Sequence, residues 1–197
     1  MDKCIFCNLD YTKTENKKLE ETKYFYITLA LGSLVRGYVL IVSKNHINSM
    51  SELNKEEKKE YEFLLNKYRN IFKKVYKKYP IIFEHGTPNV NEEKTSSSVI
   101  HAHTHIVNHS FKNEEKIIKE NNFDKINSIY EINSNKNYIL FINELNELYL
   151  STQFKNIKQL MRIEIAKDLN ISYMYNWDKY HFKNNIILTI DDISKLI

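Results

Sequence analysis

Apolar positions along the chain fall into short blocks separated by polar runs, and the spacing within each block predicts an element. Tyr24–Leu31 is rich in aromatic and β-branched residues and predicts a strand. Tyr38–Ser43 is a continuous apolar run of strand length and predicts a buried strand, with Gly32, Ser33 and Gly37 as turn punctuation before it. Asn54 with Glu57 forms a capping-box pattern. Behind it Tyr61, Leu64, Leu65, Tyr68, Phe72, Val75 and Tyr79 recur at helical spacing, so a long amphipathic helix is expected, ended by Pro80. Ile81–Glu84 predicts another strand, and Ser98–Val107 a strand with strict alternation. Tyr11–Thr22 reads as a loop, and residues 111–135 as a surface helix and a loop. Tyr138–Ile142 with Leu148–Ser151 forms a hairpin, Gln159–Asn170 a second amphipathic helix, and Ile187–Ile193 a short closing segment. Strands, a helix, more strands and a mixed tail together predict an α+β fold with an antiparallel sheet.

Composition narrows the function classes. The chain of 197 residues is 42% hydrophobic and 27% charged, enough apolar material for a core. No apolar run has membrane-spanning length, and the N-terminal MDKCIFCNLD lacks a secretory apolar segment. Two cysteines exclude a disulfide scaffold and suit the cytoplasm. The formal net charge of +4 is spread over Lys-rich helix faces, so no large nucleic acid is expected as a partner, and no membrane.

The sharpest chemical signal is His101-Ala102-His103-Thr104-His105. With 7 histidines in the chain, such an alternating triplet arises by chance with a probability of roughly 1%. On a strand the three imidazoles project to one face, while Ala102, Thr104 and Ile106 face the core. A strand advances about 3.3 Å per residue, so three such residues do not easily converge on one ion, although two can. That spacing disfavours a histidine-metal oxygenase. Nucleophilic catalysis fits better: neutral imidazole is a good nucleophile near neutral pH, and its neighbours can bind phosphoryl oxygens. Cys4 and Cys7 form one Cys-x-x-Cys. With no strand before it, a redox pair at a helix start is a poorer reading than two ligands of a zinc site, for which His46 at a strand end is a sensible third.

These segments resemble the histidine triad (HIT) superfamily of nucleotide hydrolases and transferases. His101–Val107 fits the His-x-His-x-His motif followed by two apolar residues. Gly37–His46 resembles the family's Gly-His strand and turn, Cys4-Ile5-Phe6-Cys7 the N-terminus of its zinc-binding bacterial members, and Ser98 a serine placed beside the nucleophile. Tyr38 and Ser43 stand where the family commonly has His and Pro. Glu84-His85-Gly86 replaces its commoner Asn-Glu-Gly, and its ribose-binding acid falls near Ala30. The resemblance implies a HIT-like antiparallel sheet with flanking helices over residues 1–110, followed by a small α/β extension over 111–197. It implies His103 as the nucleophile on an α-phosphorus, His105 on the phosphate oxygens, and Ser98 near the leaving group. Leu29 and Leu31 are the expected apolar walls for the base. His101 becomes the fourth ligand of a structural zinc with Cys4, Cys7 and His46. His85 is either a rim residue or a structural one. A nucleoside phosphoramidate or dinucleoside polyphosphate is the expected substrate; a non-catalytic nucleotide-binding module is the alternative. Many members pair as homodimers through helix and sheet edge, and the resemblance admits that arrangement here.

Arg162 stands out because only Arg36 and Arg69 accompany it among 29 basic residues. A planar bidentate fork suits phosphate or carboxylate. Two readings stay open: a structural ion pair, with Asp178 the better partner, or a nucleotide-binding contact made by a helix folded over the triad.

Overall fold

The computed structural model describes residues 4–91, 97–132 and 135–197. Eight strands form one antiparallel sheet: β1 Lys18–Glu21, β2 Phe25–Leu29, β3 Tyr38–Ser43, β4 Ile81–Gly86, β5 His103–Val107, β6 Asp124–Ile126, β7 Tyr138–Ile142 and β8 Leu148–Ser151, in the spatial order β1-β2-β3-β5-β4-β7-β8-β6. The α+β class follows directly. The expected extension, residues 111–197, supplies β6, β7 and β8 of this same sheet. It also supplies three helices: α2 Glu114–Glu120, α3 Leu160–Asp168 and α4 Lys183–Ile193. None of the helices among the described residues is long and apolar enough to cross a membrane.

Strand alternation divides the interior into two layers. On one face Phe25, Ile27, Val39, Ile41, Ile82 and Ile106 pack against the long helix α1, Lys55–Tyr76, through its Tyr61, Leu64, Leu65, Tyr68 and Phe72. On the other face Tyr26, Tyr38, Leu40, Val42 and Phe83 pack against Leu160, Met161, Ile165 and Ala166 of α3. Helix α1 starts at the predicted capping box: the Asn54 side chain accepts from the Glu56 and Glu57 amides, and the Glu57 carboxylate accepts from the Asn54 amide at 2.8 Å. It ends at Tyr76, with Lys77 in the left-handed region at φ 64°, so Tyr79 lies beyond it rather than on its apolar face. There Tyr79 stacks under the Arg69 guanidinium at 4.9 Å.

Four segments differ from the sequence reading. Lys18–Glu21 is an edge strand, not loop: it carries no apolar alternation because an edge need not be buried, and Glu20 instead meets Lys67 and Tyr68 of α1. Residues 111–135 contain the edge strand β6 as well as a helix. The closing segment around Ile187–Ile193 is the helix α4, tied to the sheet by the Arg36–Asp192 ion pair. The strand expected from Ser98 begins only at His103. The Ala102 amide donates to the Ile47 carbonyl at 2.7 Å, while its carbonyl still accepts from the Ser43 amide at 3.1 Å.

One buried carboxyl lies under α1. Glu84 on β4 accepts from the Met50 amide and the Tyr138 hydroxyl, each at 2.7 Å, yet burial pushes its pKa up to about 7. A carboxyl raised in the folded state stabilises the fold below its unfolded pKa, and that contribution fades as pH rises through the folded value. Wild type should therefore gain roughly 2 kcal/mol relative to Glu84→Gln between pH 8 and pH 5. Paired denaturant titrations at the two pH values check this, and a pH-independent difference contradicts it.

Candidate functional site

The Cys4–Cys7 turn folds back onto the start of the triad. Cys4 Sγ lies 3.4 Å from His101 Nδ1, Cys7 Sγ 3.6 Å from the same atom, and Cys7 Sγ 3.2 Å from His46 Nδ1. The four ligand atoms lie within 4.8 Å of one another. A tetrahedron with metal–ligand arms of 2.0–2.3 Å has edges of about 3.5 Å, so this cluster has the dimensions of a closed four-ligand site. Two thiols and two imidazoles are the donor set that suits zinc. His101 Nε2 lies 2.8 Å from the Ser43 carbonyl oxygen. A carbonyl only accepts, so that nitrogen carries the proton and Nδ1 presents its lone pair to the cysteines, as a metal ligand must. Ser43, where the family's Pro was expected, also donates its hydroxyl to the Asn45 carbonyl and so holds the turn bearing His46.

His103 and His105 point the other way from Thr104, into a pocket between the sheet and α3. Its wall includes Phe6, Thr28, Ala30, His85, Ser98 and Arg162. His103 Nδ1 lies 2.6 Å from the His101 carbonyl oxygen. Nδ1 is therefore the protonated nitrogen, and Nε2 keeps its lone pair. Burial lowers the His103 pKa to about 4, against the contact with the His101 carbonyl, and that of His85 to about 3, and it pushes His105 lower than usual as well; neighbouring histidines and Arg162 add to the effect at His85 and His105. All three are neutral at physiological pH. Phe6 packs its ring 4.9 Å from His103, and Phe83 stacks on His105 at 4.4 Å, so both imidazoles are clamped. The Cys/His cluster and the pocket are thus joined through one residue: His101 faces the cysteines with its ring and meets His103 Nδ1 with its carbonyl.

The remaining residues read from sequence are dispersed around this pocket. Leu31 lines it. Leu29 borders it, but its side chain belongs to the core layer beneath α1. Ser98 sits at the mouth, where it accepts a hydrogen bond from Trp177 Nε1 at 3.0 Å. His85 is a buried wall residue whose Nε2 accepts from the Met161 amide at 3.5 Å. Arg162 is 2% exposed and donates to the Tyr175 and Gly32 carbonyls and to the Tyr38 hydroxyl. Among the described residues no carboxylate, Asp178 included, pairs with it.

Sequence reasoning missed Gln159 and Trp177 as pocket residues. The approach of Trp177 depends on Gly32: a Cβ there would lie 2.6 Å from Arg162 Nη2 and 2.6 Å from Trp177 Cβ. The only available signal was a glycine beside the β2 end and a lone tryptophan in a polar tail.

An antiparallel sheet carrying two neutral, clamped histidines above a Cys2His2 cluster defines a HIT-like domain. Residues 1–123 match the family described as "Protein similar to CwfJ C-terminal", and the chain belongs to that HIT-like family. It is 26% identical over 106 residues to the curated "Protein hit" of Bacillus subtilis, a match covering 54% of this chain and 70% of that one. Among solved structures it is similar to a HIT family member from Bacillus subtilis (25% identity, 53% of this chain and 72% of that one, TM-score 0.44). A zinc-bound histidine triad protein from Mycobacterium smegmatis matches at 17% identity, 54% and 74% coverage and TM-score 0.42.

Replacing Gly32 by Ala should push the Trp177 segment off the pocket. The chain has 1 tryptophan, so its fluorescence reports this without ambiguity. A red-shifted emission with readier iodide quenching is expected, and an unchanged spectrum contradicts the packing described.

Proposed function

We propose that this chain is a nucleotide hydrolase or nucleotidyl transferase that works through His103. The observation that carries the reading is the 2.6 Å contact of His103 Nδ1 with the His101 carbonyl, which leaves Nε2 as a lone pair on the pocket wall. In the first step Nε2 attacks the α-phosphorus of a nucleoside phosphoramidate or dinucleoside polyphosphate. A P–N bond to the imidazole forms. The bond to the leaving group breaks, and that group departs with its electron pair and gains a proton. The positive charge that develops on the ring is stabilised through Nδ1–H by the His101 carbonyl. Water or another acceptor then attacks the phosphorus and loses a proton, and the P–N bond returns its pair to Nε2.

The other wall residues fit supporting roles. His105 meets the phosphate oxygens. Ser98, its oxygen accepting from Trp177, donates to no other group among the described residues and can offer its proton to the leaving group. Leu31 and the rim of Leu29 offer apolar surface for a base. A zinc ion held by Cys4, Cys7, His46 and His101 supplies structure rather than chemistry: it ties the N-terminal turn to the strand that carries the nucleophile. Two reduced cysteines suit a cytoplasmic setting.

A panel of adenosine and guanosine phosphoramidates and dinucleoside polyphosphates tests the activity. Wild type should release nucleoside monophosphate, and His103→Ala should release none above buffer while keeping its metal and its melting temperature. Turnover by His103→Ala at the wild-type rate sinks the assignment, and saturable binding without release points to the non-catalytic module instead. Elemental analysis should find one zinc per chain, lost in Cys4→Ser with a fall in melting temperature; a metal-free wild type of undiminished stability removes the site.

A further inference from the structure

The Tyr38 hydroxyl sits between two groups. It accepts from Arg162 Nη1 at 3.2 Å and lies 2.8 Å from His105 Nδ1. The residue is fully buried, and no other hydrogen-bond partner for its hydroxyl occurs among the described residues. A guanidinium only donates, so the link from Arg162 uses a lone pair of the phenol oxygen. The single phenol proton then has one acceptor within reach, His105 Nδ1. The opposite polarity, with Nδ1–H donating to Tyr38, would strand a buried hydroxyl proton at a cost of about 1–3 kcal/mol. The Arg162 end is itself fixed: Nε and Nη2 are taken by the Tyr175 and Gly32 carbonyls, so the guanidinium cannot swing toward a ligand without breaking both.

We propose that Arg162 and Tyr38 form a hydrogen-bond relay that holds His105 in the tautomer with its proton on Nε2, so that His105 meets the pocket as a donor. This refines the reading of His105 as the phosphate contact and rests on it, since a neutral imidazole can donate to a phosphoryl oxygen only from a protonated nitrogen. Among the described residues Arg162 makes no carboxylate pair, and it gives one donor each to the Tyr175 carbonyl, the Tyr38 hydroxyl and the Gly32 carbonyl. Tyr38 and Arg162 are positioning residues, acting on the ligand through His105. The ring is held in plane for this by the Phe83 stack at 4.4 Å and 12°. The device is split between the two parts of the sequence, with Tyr38 on β3 and Arg162 on α3 of the 111–197 region, so the triad pocket is completed by the extension.

The test reads the tautomer directly. Histidine-selective 15N labelling and two-bond 1H–15N correlation spectra of the metal-replete protein, without nucleotide, should show His105 Nδ1 as a pyridine-type nitrogen and Nε2 as pyrrole-type. In Tyr38→Phe the His105 signals should move toward a mixture of both forms. Tyr38→Phe should also lower kcat about tenfold with KM within twofold, the pattern of a donor better placed for the transition state than for the ground state. A wild-type His105 with its proton on Nδ1 overturns the proposal even if the variant fails to fold, and so does a Tyr38→Phe protein that keeps the wild-type tautomer. Absence of turnover with every nucleotide in the panel would overturn the enzymatic reading alone, because the spectra need no substrate.

Discussion

The position of β5 is the constraint on which the rest of the molecule depends. It lies between β3 and β4, paired on both edges, so its alternate side chains must satisfy two different interiors. Thr104 and Ile106 fill the layer beneath α1, where the Thr104 hydroxyl meets Tyr61 at 2.7 Å. His103 and His105 are delivered to the opposite face, where β3 and α3 build the pocket. A shift of one residue in register would exchange the two sets and put both imidazoles under the helix. The candidate site's histidines are therefore placed by the same pairing that holds the sheet together.

Burial does the second part of the work. An exposed histidine is partly protonated near neutral pH, and the protonated form has no lone pair to offer. Enclosure by Phe6, Phe83 and the α3 layer removes that competition, and each imidazole is given a defined polarity by a neighbour that can act in only one way. A carbonyl fixes His101, a second carbonyl fixes His103, and the arginine-tyrosine pair fixes His105. Three alternating rings of one residue type thus have three different hydrogen-bond partners.

Local signals carried much of the fold. The apolar run at Tyr38–Ser43, the Asn54–Glu57 box and the Tyr138–Ser151 hairpin each hold their geometry within a few residues, and each appears where the pattern put it. The polar edge strand at Lys18–Glu21 was not legible because its partners are β2 and the flank of α1. The alternation of His101–His105 read as one strand, whereas the amide of Ala102 is claimed by the distant Ile47 carbonyl. At the site the same division holds. The Cys-x-x-Cys and triad spacing named residues that lie together as a Cys/His cluster and as pocket histidines. The partners of Arg162 are two carbonyls and a phenol from remote segments, and no side-chain pattern marks a carbonyl. Trp177 reached the pocket through the space left by Gly32, a contact defined by the absence of a side chain.

The central claim is that His103 Nε2 becomes covalently bonded to phosphorus. Rapid mixing with substrate, followed by intact mass measurement and peptide mapping, tests it most directly. The account predicts a single nucleotidyl adduct on His103, labile in acid and stable in base as a phosphorus–imidazole bond is. Release of nucleoside monophosphate with no such adduct at any time, or an adduct carried by another residue, would contradict it.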